Sequence, residues 1–221
     1  YTSPAPADKV VFPVDPEHAA LRLTVIASFF VVSILTYLII SVILPQDGFN
    51  LVGLVVGLGV ATVTIQVIDA AFKRRWPSGR TLEIDEQGVR LALHGDVQSE
   101  IANTEAAQAL MWRFEIQRRA RAPKGWYVVA LALNQNDVYL PVYTFMSPQD
   151  FQAMPFNQFY TPLSKDKPLA EAANDFRAAG HERRLRTAEH ARWNAGAEID
   201  KANFHAYVEV LRRRYPQWLT R

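Results

Sequence analysis

The chain has 221 residues, with 24 Lys and Arg against 22 Asp and Glu, a formal net charge of +2, and 49% hydrophobic residues. It contains no cysteine, which excludes disulfides, zinc–thiolate sites, iron–sulfur clusters and thioether-linked haem. A mean hydropathy of −0.06 conceals two unlike parts: residues 1–72 hold two basic and five acidic side chains, and residues 73–221 hold twenty-two and seventeen.

Residues 1–15 form a Pro-rich arm with Pro4, Pro6 and Pro13, expected to be extended and to become ordered only against a partner. Asp15-Pro16-Glu17 then reads as a helix start, with Asp as N-cap, Pro at the first helical position and an acid in the first turn. Leu21 to Leu44 is an apolar run with no charged side chain from Leu23 onward, and Leu51 to Phe72 is a second such run. A bilayer core about 30 Å thick needs roughly 20 helical residues, so residues 16–76 are expected to form a two-helix transmembrane hairpin. The first run is longer than the apolar region of a signal peptide.

The link Pro45 to Asn50 carries no Lys or Arg, whereas Lys9, Arg22, Lys73, Arg74, Arg75 and Arg80 lie on the other sides. Positive charge is retained in the cytoplasm, so both termini are expected inside a bacterial plasma membrane, with Trp76 as an interfacial anchor. Gly53, Gly57 and Ala61 recur every four residues and make a close-packing face. That face suits either the chain's own first span or a helix of another subunit. Neither span contains His, which argues against a bis-His haem or a His-ligated chlorophyll within the hairpin. The polar residues of the second span are Gln66 and Asp69.

Beyond Arg80 the periodicity changes to two. Thr81 to Asp85 and Val89 to Leu93 alternate around the turn Asp85-Glu86-Gln87-Gly88, so Leu82, Ile84, Val89, Leu91 and Leu93 are expected on one face. Val97 to Ile101 is a further strand candidate, and Thr104 to Ala109 reads as a helical turn. Trp112 to Arg118 alternates with Trp112, Phe114 and Ile116 inward. Trp126 to Leu133 is continuously apolar, as a central strand would be, and Val138 to Phe145 follows a turn at Asn134 to Asp137. Ser147-Pro148-Gln149-Asp150 begins a helix. Residues 77–162 are therefore expected to be an antiparallel sheet or barrel closed by that helix.

The hairpin, Ile84-Asp85-Glu86-Gln87-Gly88-Val89, and Gly125-Trp126-Tyr127 through Leu140 to Phe145 with the Ser147 helix start carry a resemblance. Over residues 20–160 this organisation resembles the YcxB-like bacterial membrane proteins, in which two membrane helices precede a PH-like domain at the inner face. The resemblance implies a membrane α-helical hairpin plus an α+β, PH-like domain. It does not carry inositide binding across, because Asp85 and Glu86 occupy the hairpin where phosphoinositide-binding PH domains place Lys and Arg.

The segment from Arg118 to Gly125 carries Arg118, Arg119, Arg121 and Lys124, suited to a solvated hairpin tip, to anionic lipid headgroups or to an acidic partner. No stacking platform accompanies it, so nucleic acid is not expected. Residues 163–221 read as a helical tail in which Asp200 caps a helix and Phe204, Tyr207, Val208, Leu211 and Tyr215 form one stripe. That stripe can pack on its own domain or on another subunit.

Five histidines, His18, His94, His181, His190 and His205, show no metal-ligand spacing, and neither a nucleophile motif nor a phosphate loop is present. No catalytic residue, metal or cofactor is expected. The composition fits a non-catalytic accessory or scaffolding subunit of a larger membrane complex, hetero-oligomeric with other integral membrane proteins and in contact with lipids. An electron-transfer assembly, respiratory or photosynthetic, is one candidate host. The competing readings are a lipid-sensing or signalling module that binds anionic headgroups, and an enzyme whose site is shared with another chain.

Overall fold

The computed structural model describes residues 9–16, 19–46, 48–118, 121–163 and 176–219. They fall into two compact units: residues 16–78, and a second unit made of the segment up to Asp15 together with Gly79 onward.

The first unit is a pair of 25-residue helices, α1 (Ala19–Ile43) and α2 (Leu51–Arg75). Both are long and apolar enough to cross a membrane. Ile26, Phe30, Ile34 and Leu38 on α1 are each more than half exposed, an apolar surface of the kind that marks contact with a membrane or another protein. Asn50 closes the turn between the helices. Its side-chain oxygen accepts from Gly53 N at 2.8 Å, capping α2, while its amide donates to Leu44 O at 2.9 Å at the end of α1. Tyr37 stacks on Phe49 with centroids 6.1 Å apart, which fixes the same corner.

The second unit is a layered α+β domain. Its first sheet has the order β1-β2-β3-β4, built from Val10–Pro13, Arg80–Ile84, Gly88–Leu93 and Asp96–Ala102, all antiparallel. Its second has the order β8-β5-β6-β7-β9, from Thr161–Pro162, Gln108–Glu115, Tyr127–Gln135, Val138–Met146 and Ala197–Glu198. The two-residue edge strands pair in parallel and the inner ones antiparallel. Among the described residues four α-helices belong to this unit: α3 (Pro148–Ala153), α4 (Phe176–Ala195), α5 (Lys201–Arg214) and α6 (Pro216–Leu219).

Residues 1–8 of the arm, with Pro4 and Pro6, lie outside the described residues, and the rest of it is corrected by β1. Its partner is this chain's own sheet, where Phe12 pairs with Leu82 in register and is buried. Asp15 is engaged within the domain, and Glu17 and His18 of the expected helix start lie outside the described residues. Asp15 has φ +52°, its carboxylate binds Arg80 at 2.7 Å and it accepts from Glu198 N at 3.0 Å.

The β2–β3 hairpin follows the sequence pattern: Leu82 pairs with Leu91 and Ile84 with Val89, and all four are buried. Asp85 accepts from the backbone N–H of Gln87 and Gly88 and holds the turn. Gly88 is required there, since a Cβ would lie 2.0 Å from Ile101 O. A register shift between Leu91 and Ala92 leaves Leu93 only partly buried. The stretch before Leu110 is strand β4 and then the start of β5, with no helical turn at Thr104 to Ala109.

β6 is apolar throughout because both of its faces are covered. Val129, Leu131 and Leu133 join Leu82, Ile84, Leu91, Phe204, Tyr207 and Leu211 in the main core, while Ala130 and Ala132 pack with Leu110, Trp112, Leu185 and Ala188 under α4. Asn136 and Asp137, at φ +48° and +64°, make the tight turn to β7 that matches strand twist. The sheets do not close into a barrel. Where a closing ladder would run, the Gln135 side chain bonds both N–H and C=O of Ala102 and also Glu105 O. The helix at Ser147 is capped as expected, with Ser147 accepting from Asp150 N at 3.1 Å, but it spans only six residues. The helix that covers the core is α5.

Candidate interaction surfaces

Gly53, Gly57 and Ala61 lie on the buried side of α2, against α1. A Cβ on Gly57 would sit 2.8 Å from Ser33 O, and one on Gly53 would touch Tyr37 at 3.3 Å. Small residues are needed here because the backbones approach closely. Of the two partners open from sequence, the chain's own first span occupies this face. Asp69 is ion-paired to Lys73 one turn on, at 2.8 Å.

The tail stripe is not a free surface. Phe204, Tyr207, Val208, Leu211 and Tyr215 are all buried in the domain's own core, so of the two partners open from sequence the chain's own domain occupies the stripe and another subunit does not. Tyr207 lies edge-on to Phe12 with centroids 6.2 Å apart, and Tyr215 stacks on Trp218 at 4.0 Å. Burial raises the hydroxyl pKa values of Tyr160 and Tyr207 above the ordinary range, and neither hydroxyl has a hydrogen-bond partner among the described residues.

The basic segment divides. Arg119 lies outside the described residues, and Arg118 and Lys124 are exposed. Arg121 is committed to the fold: both of its terminal nitrogens donate to the Glu198 carboxylate, and its guanidinium lies 5.4 Å from the Phe145 ring. A guanidinium held by a bidentate carboxylate is a poor headgroup ligand, so only Arg118 and Lys124 remain as described candidates for anion contact.

Arg121 belongs to a network that sequence reading missed. Tyr143 on β7 donates to Glu198 at 3.1 Å. Burial, with the Glu198 charge beside it, pushes the Tyr143 hydroxyl up to about 12. Arg192 of α4 lies 4.8 Å over the Tyr143 ring and 5.4 Å from Phe114. Its guanidinium binds Glu189 at 2.8 and 2.6 Å, and Glu189 also accepts from the Trp112 indole at 2.8 Å. These bonds pin α4 to the second sheet. Each carboxylate is engaged by a guanidinium. The spacing of Glu189 and Arg192 was the one local signal; the Glu198 contacts span more than 50 residues of sequence.

No family model, curated protein or solved structure matches this chain. Its surfaces must be read on their own chemistry. Trp193 beside Arg192 is 71% exposed. A groove of about 450 Å³ runs between Gln98, Ser99, Tyr139 and Asn194, with Arg80 at its edge held by Asp15, Gln98 and the carbonyls of Ala195 and Gly196. Among the described residues no three of His, Asp or Glu converge as a metal site.

Proposed function

We propose that this chain is a membrane-anchored, non-catalytic accessory subunit, in which the α1–α2 hairpin spans a bacterial plasma membrane and a PH-like α+β domain covers its cytoplasmic face. The observation that carries the reading is the pairing of β1 with β2. One strand precedes the hairpin and the other follows it, yet they share a sheet, so the chain enters and leaves the hairpin from one domain. Such a domain is stapled to the bilayer at two covalent points, a geometry suited to holding a fixed position against neighbouring chains. The excess of Lys and Arg on those flanks favours the cytoplasmic side.

Ion pairs and ring stacking occupy the charged clusters of the α4 layer, which supports a rigid surface for protein contact, with the exposed Trp193 as its anchor. Other integral membrane subunits are the partners this implies, an electron-transfer assembly among the candidates. Affinity capture from native membranes in mild detergent tests the proposal. Co-purification of other integral membrane chains in constant ratio is expected; recovery of this chain with no other protein contradicts it. The lipid-headgroup alternative retains the exposed Arg118 and Lys124. It requires that replacing both with Ser lower the anionic lipid that co-purifies.

A further inference from the structure

The outer side of α2 carries two features that the hairpin itself does not use. Gln66 is exposed and its amide makes no hydrogen bond among the described residues. Nine residues earlier in the chain is Gly57, half a helical turn around, so Gln66 points away from α1. Gly59 lies on the same outer side, and a Cβ there would meet nothing within 4 Å. Glycine in a helix interior is unfavourable by roughly 0.5–1 kcal/mol relative to Ala, and no contact within the chain accounts for this one. Gln66 precedes Asp69, the first charged residue toward the end of α2, by about 4.5 Å along the axis, which places it in the last turn of a hydrocarbon core about 30 Å thick. Lipid tails offer an amide no hydrogen-bond partner.

These residues belong to a wider pattern. Val52, Val55, Gly59, Thr62 and Gln66 are all exposed and follow one another at alternating three- and four-residue steps. That is the seam of a left-handed helix pair, in which a single polar residue fixes register and partner number. Thr62 adds no demand of its own, since its hydroxyl already donates to Leu58 O at 2.8 Å.

We propose that α2 pairs in parallel with α2 of a second copy across a twofold axis along the membrane normal, with the two Gln66 amides bonded to each other. A primary amide donates and accepts at once, so it is its own complement. A second copy in the same orientation places that complement at the same depth without further adjustment. Gly59 lets the two backbones approach, as Gly57 does inside the hairpin. The proposal rests on the hairpin spanning a membrane and goes beyond the accessory role, since it sets the copy number at two within any host.

The chain has no cysteine, so single-cysteine reporters in the full-length protein in native membranes give a clean test. Oxidative crosslinking of Val55→Cys, Gly59→Cys and Thr62→Cys is expected to yield a dimer of this chain, and Val60→Cys and Val67→Cys are not. Adding Gln66→Leu to the Val55→Cys reporter lowers the association constant about three- to thirty-fold, the range measured for interhelical polar contacts, and Gln66→Asn retains most of it. Equal crosslinking at all five positions, no dimer, crosslinks only to a chain of different mass, or insensitivity to Gln66→Leu overturns the proposal. Resistance of each variant to alkaline extraction is scored in parallel. Release from the membrane removes the spanning reading and the dimer with it, whereas retention without the crosslinking pattern removes the dimer alone.

Discussion

Phe12 offers the sharpest test of the fold. It sits in β1 opposite Leu82, is 5% exposed, and meets Tyr207 edge-on with centroids 6.2 Å apart. Replacing a buried Phe with Ala typically destabilises by about 3–5 kcal/mol, from lost transfer energy and the cavity left behind. At an edge strand, where the neighbours have room to relax, the lower figure of about 3 kcal/mol is expected. A unit of this size shifts its melting midpoint by about 2–4 °C per kcal/mol, so Phe12→Ala should lower the midpoint by about 6–12 °C. The neighbouring Val11 is the internal control. It is 47% exposed and points to the other face, so Val11→Ala should cost less than about 1 kcal/mol. The full chain in detergent is melted at one scan rate and followed by tryptophan fluorescence, for which Trp112 and Trp218, both buried in this unit, are suitable reporters. Equal shifts for the two variants, or none for Phe12→Ala, would refute the incorporation of the arm into the sheet.

Three further outcomes follow from the core, the α4 layer and the hairpin. Tyr207→Phe removes a buried hydroxyl without a partner among the described residues; because such a group costs about 1–3 kcal/mol, the variant should melt higher, and a lower midpoint would reveal a bond to that hydroxyl. Folding holds the hydroxyls of Tyr143, Tyr160 and Tyr207 above the ordinary tyrosine range, so the unfolded chain loses protons first, near pH 10. Stability should therefore fall as pH rises above about 10, for Tyr143 up to about 12, and the tyrosinate absorbance of these three residues should lag until the protein unfolds; their ionisation near pH 10 in the folded state contradicts this. Gly57→Leu drives a side chain into Ser33 O, 2.8 Å from the Cβ position, and should lower the temperature at which the protein loses its single peak on size exclusion, by overpacking of about 1–3 kcal/mol.

Local periodicity made the hairpin and most strands legible. The Leu82–Ile84 and Val89–Leu91 faces and the unbroken apolar run of β6 depend only on side-chain alternation and on how many faces are covered. Three features were not legible for a shared reason. The pairing of Val10–Pro13 with Arg80–Ile84 spans the whole hairpin, so no window of sequence contains both halves. The stripe on α5 gave its own geometry correctly, but periodicity states which face is apolar and not what covers it; the answer was the core between the sheets. Arg121 looked like one of four equivalent cations in a loop, and its tie to Glu198 depends on β9 being brought beside β7. Charge counting cannot separate a solvated arginine from one held by a distant carboxylate.

Residue-by-residue labelling of single-cysteine variants with a membrane-impermeant maleimide, before and after permeabilising the cells, tests the arrangement most directly, because the native chain contributes no thiol. Gln46→Cys in the turn should label in intact cells, while Val11→Cys and Val138→Cys, on either side of the hairpin and both exposed in the domain, should label only after permeabilisation. Labelling of Val11→Cys and Val138→Cys from opposite sides, or of either one in intact cells, would contradict a single cytoplasmic domain anchored by a membrane hairpin.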